Sequence, residues 1–148
     1  GAARPQLHSW GMSLDVERLR ALDLFADLDY HDLSHVARWA HEVHADAGAV
    51  LFEQDAIPYD LFVIESGTAE VIRDGEPLAT IGPGDPVGEM SVLRHERRTA
   101  TVRVLTALTA IAIPAEDLDA LEAEMPEIVG TLRRVMDDRR RHNDAERG

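Results

Sequence analysis

The sequence predicts a mainly β domain with flanking α-helices: an antiparallel, jelly-roll-like β-roll of about eight strands. Helices precede the roll, a short helix interrupts it, and a C-terminal helix closes the chain. Three observations lead there. Apolar residues recur at helical spacing before His44 and again after Pro114. Between those limits they form short β-type runs separated by Gly, Pro and Asp. The 148 residues, 45% hydrophobic and 29% charged, suit one domain with a single core.

Residues 1–12 are polar, broken by Pro5 and unlike a secretory signal. They read as a leader without order, with Met12 an alternative natural start, and are left outside the fold. One domain is expected over 13–144. Helices occupy 13–43, the roll 44–114 and C-terminal helices 115–144. In the first part Leu14, Leu19, Leu22, Phe25, Leu28, Leu33, Val36 and Ala40 recur at three to five residues. That spacing predicts two or three short helices, broken near 26–29, with Asp15 and Asp32 in N-terminal turns.

Strands follow at 48–52, 61–64, 69–72, 78–81, 100–104 and 109–113. Ser66-Gly67 is expected to stop the second. Asp74-Gly75 signals a tight primed hairpin turn after the third. The stretch 82–86 is too rich in Gly and Pro for a strand. After Pro114, the stripe Leu118, Leu121, Met125, Ile128, Val129, Leu132, Val135 and Met136 restores the helical period. Pro126 suits the first turn of the last helix, where its missing N–H costs little.

Composition excludes several functions. A net charge of −13 repels nucleic acid and anionic membranes, so this chain alone is not expected to bind either. No apolar run reaches the eighteen residues a membrane span needs. The absence of Cys fits a reducing, cytoplasmic setting and removes thiolate chemistry. No nucleophile–base pair is evident, so no enzyme and no cofactor are expected. His31 and His35 lie four apart and His41 and His44 three apart, but their surroundings read as helix surface. No metal site is expected.

Against this acidic background, basic residues gather at Arg94, His95, Arg97 and Arg98, and again at Arg139 to Arg141. The second group reads as a solvated helix end. The first lies in the segment from Val87 to Val104. Gly88-Glu89-Met90-Ser91-Val92-Leu93 suits one short helical turn, which Pro86 prevents from extending backwards. A helix start presents unpaired N–H groups to an anion. Arg98 suits a phosphate, since a guanidinium gives two parallel charge-assisted bonds. Thr99 adds a hydroxyl and Ala100 a backbone donor. Glu89 would repel phosphate but suits a sugar hydroxyl.

The segment resembles the phosphate-binding cassette of the cyclic nucleotide-binding domain family. Val87, Gly88-Glu89, Met90, Ser91, Val92, five spacer residues and Arg98-Thr99-Ala100 meet every fixed position of that pattern. Leu51-Phe52-Glu53-Gln54 and Leu61 to Gly67 resemble the family's upstream block, so the likeness runs from about Phe25 to the last helix. The resemblance implies a regulatory sensor, with cyclic AMP favoured over cyclic GMP as ligand. It implies that Glu89 binds the ribose 2′-hydroxyl and Arg98 the cyclic phosphate. Gly88, Met90, Ser91, Thr99 and Ala100 would supply surrounding contacts, and Val71, Ile81 and Val102 would line the base. The last helix would act as a lid carrying Arg139 and Asn143 towards the base, and would offer a surface to an effector or a second copy.

Two positions depart from the family pattern. Asp55-Ala56 stands where Gly-Asp is usual, and a preserved but costlier turn is expected, since Asp tolerates positive φ better than most residues. Pro86-Val87 stands where an aromatic residue often precedes Gly-Glu, which removes packing but no ligand contact. The alternatives are a protein-interaction scaffold of the same fold without ligand, or the sensor part of a larger transcription regulator, channel or enzyme.

Overall fold

The structure is a computed structural model that describes the chain trace over residues 7–13 and 15–147, and side chains over residues 15–88, 91–92 and 94–138. In chain order the elements are β1 (Leu7–Ser13), α1 (Val16–Arg20), a 3₁₀ turn (Asp23–Phe25), α2 (Tyr30–Trp39), β2 (His41–Ala45), β3 (Val50–Phe52), β4 (Asp60–Arg73), β5 (Glu76–Ile81), β6 (Pro86–Val87), α3 (Glu89–Arg94), β7 (Thr101–Pro114), α4 (Ala115–Glu124) and α5 (Pro126–Arg147).

The strands form one antiparallel seven-stranded sheet in the order β1-β2-β7-β4-β5, with β3 also on β7 and β6 also on β4. This is the expected helix-flanked β-roll, with seven strands rather than about eight. Two expected pairs of runs are continuous strands, while β1, β2 and β6 lie outside the expected runs, β6 at the end of the Gly- and Pro-rich stretch 82–86 that was not expected to pair. β4 joins 61–64 to 69–72, and β7 joins 100–104 to 109–113, over 14 residues each. Gly67 bends β4 instead of ending it. Its φ of +89° belongs to glycine, and a Cβ there would collide with the Ala107 carbonyl oxygen and lie 2.7 Å from Leu108 Cα. The β4–β7 register shifts on both sides of it.

Two further boundaries differ from expectation. The helical stretch does not reach residue 43: α2 ends at Trp39, and His41–Ala45 pairs with β7. Val43 and Ala45 face inward at a period of two, which only a strand provides. Residues 7–13, expected to lie in a leader outside the fold, form β1 on the edge of β2. Trp10 is the one strong β-former among its seven residues, so backbone pairing rather than composition defines that strand.

The apolar runs in β4 and β7 are continuous because both faces are buried. Leu61, Val63, Ile111 and Ile113 face the helices, where they pack with Leu19, Phe25, Leu33, Leu118, Leu121, Ile128 and Leu132. Phe62, Ile64, Ala110 and Ala112 face the interior of the roll with Val87, Val102 and Val104. Asp15 caps α1 as expected, its carboxylate accepting from the Glu17 N–H, and Asp32 lies in the first turn of α2. The cap of α2 is Asp29, which was not expected, its carboxylate accepting from the Asp32 N–H. Asp74 and Gly75, both at positive φ, close the β4–β5 hairpin between Arg73 and Glu76.

Candidate functional site

The segment singled out by sequence leaves the sheet at β6, turns through α3 and rejoins it at β7. Gly88 makes the turn possible at φ +76°, in the left-handed region. α3 then runs for six residues, and His95 ends it at φ +56°. Beyond His95 the spacer folds back. The Glu96 N–H donates to the Ser91 carbonyl at 3.0 Å, and the buried Ser91 hydroxyl donates to the Arg97 carbonyl at 3.3 Å. The Arg98 N–H and carbonyl pair with the Ala56 carbonyl and the Asp55 N–H at 2.9 and 2.8 Å. Asp55 stands at φ +70°, so the turn that usually carries glycine is preserved with an aspartate in it.

Arg98 is 2% exposed. Its Nη1 donates to the Gly88 carbonyl at 2.7 Å and its Nη2 to the Asp60 carbonyl at 2.6 Å. Its Cζ lies 3.9 Å from the centre of the Phe52 ring. A buried guanidinium demands such partners, because desolvating a charge without them is expensive. Three separate stretches converge on it: the end of β3, the head of β4 and the start of α3. Gly88 is doubly constrained, since a Cβ there would run into Arg98 Nη1.

The expected site residues fall into three groups. Gly88, Ser91, Arg98, Thr99 and Ala100 lie in this one loop. Ser91 and Ala100 are buried, while Thr99 is exposed and its carbonyl accepts from Arg73 Nε at 3.2 Å. Val71, Ile81 and Val102 share the interior cluster of the roll, Val102 2% exposed and Val71 half-buried. Glu89 and Met90 lie on the first turn of α3 and Arg139 and Asn143 on α5, but their side chains fall outside the described residues. Arg97, expected as a solvated spacer residue, is exposed and donates to the Asp55 carbonyl at 2.9 Å.

Phe52 and Asp60 were not foreseen as parts of the site. Phe52 reads as one more strand hydrophobe in Leu51-Phe52-Glu53-Gln54. The signal for Asp60 was a carboxylate directly ahead of the apolar run Leu61 to Ile64, a position that becomes 3% exposed. α3 also touches the helical core. Val92 on its inner face is 2% exposed and belongs to the cluster that holds Leu118, Ile128 and Leu132. Away from this loop, the ligand atoms of Asp29, His31 and Asp32 lie within 4.8 Å of one another at the exposed start of α2.

The family model for the cyclic nucleotide-binding domain matches residues 42–124, a span that includes the whole loop from β6 to β7. An uncharacterized ABC transporter ATP-binding protein of Mycobacterium tuberculosis is 35% identical over 118 residues, which are 76% of this chain and 34% of that protein. The chain spans between 24% and 34% of the length of the first relatives it matches. Among solved structures, a cyclic nucleotide-binding domain from Methylobacillus flagellatus superposes with a TM-score of 0.76, at 20% identity, over 93% of this chain and 85% of that one. The regulatory domain of Toxoplasma gondii PKA, crystallized with cAMP, gives 0.62 at 28% identity over 71% and 42%. With its helix-flanked roll and with Arg98 seated under α3, the chain belongs to the cyclic nucleotide-binding domain family.

Proposed function

We propose that this chain is a regulatory module that binds cyclic AMP in preference to cyclic GMP and reports occupancy through α5. It senses rather than catalyses. The observation that carries the reading is Arg98: a permanently charged, planar donor buried inside the loop, with its Nη1 on the Gly88 carbonyl at the start of α3. In this reading its guanidinium meets the cyclic phosphate, Glu89 takes the ribose 2′-hydroxyl, and Thr99 stands beside the base. Thr99 is compatible with guanine and with adenine; the likeness to a regulatory domain crystallized with cAMP favours the latter. Arg139 and Asn143 approach the base from α5, on the pattern of the family.

Signalling requires the nucleotide to bind two positions of α5 with different affinity. Val92 supplies a mechanical link, because it joins α3 to the cluster against which Ile128 and Leu132 of α5 pack. The setting is cytoplasmic, and among the described residues no helix is long and apolar enough to cross a membrane. An effector, or a second copy, docks on α5.

Calorimetry with cyclic AMP and cyclic GMP, alone and in competition, tests this directly. Heat with cyclic AMP and displacement of cyclic GMP by it are expected; no heat or thermal shift at millimolar nucleotide overturns the reading. One observation favours a second function, that of a ligand-free interaction scaffold. Arg98 already has two protein carbonyls and an aromatic face, so its burial also serves the fold. The same titration separates the two.

A further inference from the structure

We infer that Phe52 is the positioning residue for Arg98, holding the guanidinium in its binding orientation before any ligand arrives. The inference rests on the proposed role of Arg98 as phosphate partner and adds to it the element that sets its aim.

Two carbonyl contacts, at Gly88 and Asp60, hold the guanidinium by its edge, and a packed face holds it against tilting out of that plane. Phe52 lies there, with Cζ 3.9 Å from the ring centre. A ring face attracts a cation through its quadrupole. It does so without consuming an N–H donor, two of which the Gly88 and Asp60 carbonyls already take. A carboxylate in the same place would hold the cation but compete with the ligand for donors and charge.

Phe52 is itself fixed. Phe62 stacks behind it, with ring centroids 6.2 Å apart and planes 21° from parallel. Phe62 is 2% exposed in the interior of the roll. Arg98, Phe52 and Phe62 thus form three layers, running from the loop into the core. The backbone pairing of Phe52 with Val102 sets the height of the middle layer. Gly88 closes the fourth side, since a Cβ on it would lie 3.0 Å from Phe52 Cε2. An arginine held this way has lost its rotamer freedom on folding, so binding need not lose it again.

The test uses Phe52→Leu, which keeps apolar bulk and removes the ring face, and Phe52→Tyr, which keeps the face. Phe52→Met replaces the first variant should that fail to fold. In the ligand-free protein, the Arg98 Nε–Hε resonance should carry a ring-current displacement and a high order parameter in wild type and Phe52→Tyr. Both should be lost in Phe52→Leu. An unchanged Arg98 signal in Phe52→Leu overturns the positioning role. Cyclic AMP affinity should fall about tenfold in Phe52→Leu and stay near wild type in Phe52→Tyr. Equal affinity in all three also overturns it. If wild type binds neither nucleotide, the proposed function fails, while the spectrum of the ligand-free protein still decides the role of Phe52.

Discussion

The Gly88 carbonyl receives the Arg98 Nη1 at 2.7 Å, across ten residues of the same loop. The two residues are therefore one unit. Gly88 supplies a left-handed turn at φ +76°, an acceptor for the guanidinium and, by lacking a Cβ, the room in which that guanidinium sits. Gly88→Ala is expected to lower stability by about 2 kcal/mol or more, since backbone strain and collision with Arg98 act together. Urea unfolding checks this. The same variant should weaken cyclic nucleotide binding, because the arginine must leave its seat to admit the methyl group. A variant that melts and binds like wild type would show that Arg98 can move at little cost.

Arg98→Ala removes the charge proposed to meet the phosphate. Binding of cyclic AMP should weaken by roughly 1.5–3 kcal/mol, the scale of a charge-assisted contact. The fold should weaken as well, because the Gly88 and Asp60 carbonyls lose their buried donor. Arg98→Lys separates the two effects. It keeps a cation but lacks the planar fork, so it should not serve both carbonyls at once. Calorimetry beside thermal unfolding for both variants measures the two losses independently. Full binding by Arg98→Ala would assign the phosphate to another residue.

The parts of this protein legible in its sequence were those governed by local chemistry. Asp74-Gly75 specified a primed turn, Pro126 began the last helix, and Gly88 to Ala100 carried the pattern of the loop. What stayed hidden depended on contacts distant in sequence. Ser66-Gly67 looks like a strand end, and only the approach of Ala107 and Leu108 shows that it is a bend within one strand. The edge strand Leu7–Ser13 is defined by its pairing with His41–Ala45. Likewise, no local feature of Phe52 indicates that an arginine 46 positions later lies on its ring.

A second charged junction gives a pH prediction. Arg18 of α1 donates from Nε and Nη2 to both Glu65 oxygens, at 3.1 and 2.6 Å, and from Nη2 to Glu42 at 3.0 Å. It thereby ties the first helix to β4 and β2. The bond from Arg18 holds the Glu42 carboxyl below its ordinary value, against the opposing effect of burial. A carboxyl depressed in the folded state contributes stability above its unfolded pKa of about 4.3, and loses it as pH falls through the folded value. Arg18→Ala should therefore cost about 1 kcal/mol at neutral pH, the upper end of the range for exposed pairs, since these side chains are only 18–35% exposed. The gap between wild type and variant should narrow below about pH 4. Denaturant melts from pH 3 to 7 measure it, and a gap independent of pH would mean that Arg18 acts through packing alone.

The departure at Asp55 predicts a gain. This residue holds φ at +70° in an exposed turn, where the family pattern places glycine. Its N–H donates to the Arg98 carbonyl at 2.8 Å, so the strained conformation is imposed by the strand-like pairing that carries Arg98. The side chain is not needed for that bond. Asp55→Gly keeps the donor and removes the Cβ penalty of the left-handed region, while adding freedom to the unfolded chain. A left-handed conformation costs an L residue about 1–2 kcal/mol, less for Asp, and the added freedom of the unfolded chain takes back about 0.4–1 kcal/mol, so the net gain is at most about 1 kcal/mol. Thermal unfolding should show a rise of a few degrees. Because Arg98 keeps its backbone pairing, cyclic AMP affinity should hold or improve slightly. A destabilised Asp55→Gly would mean that the aspartate carboxylate makes a contribution to the turn larger than the strain it carries.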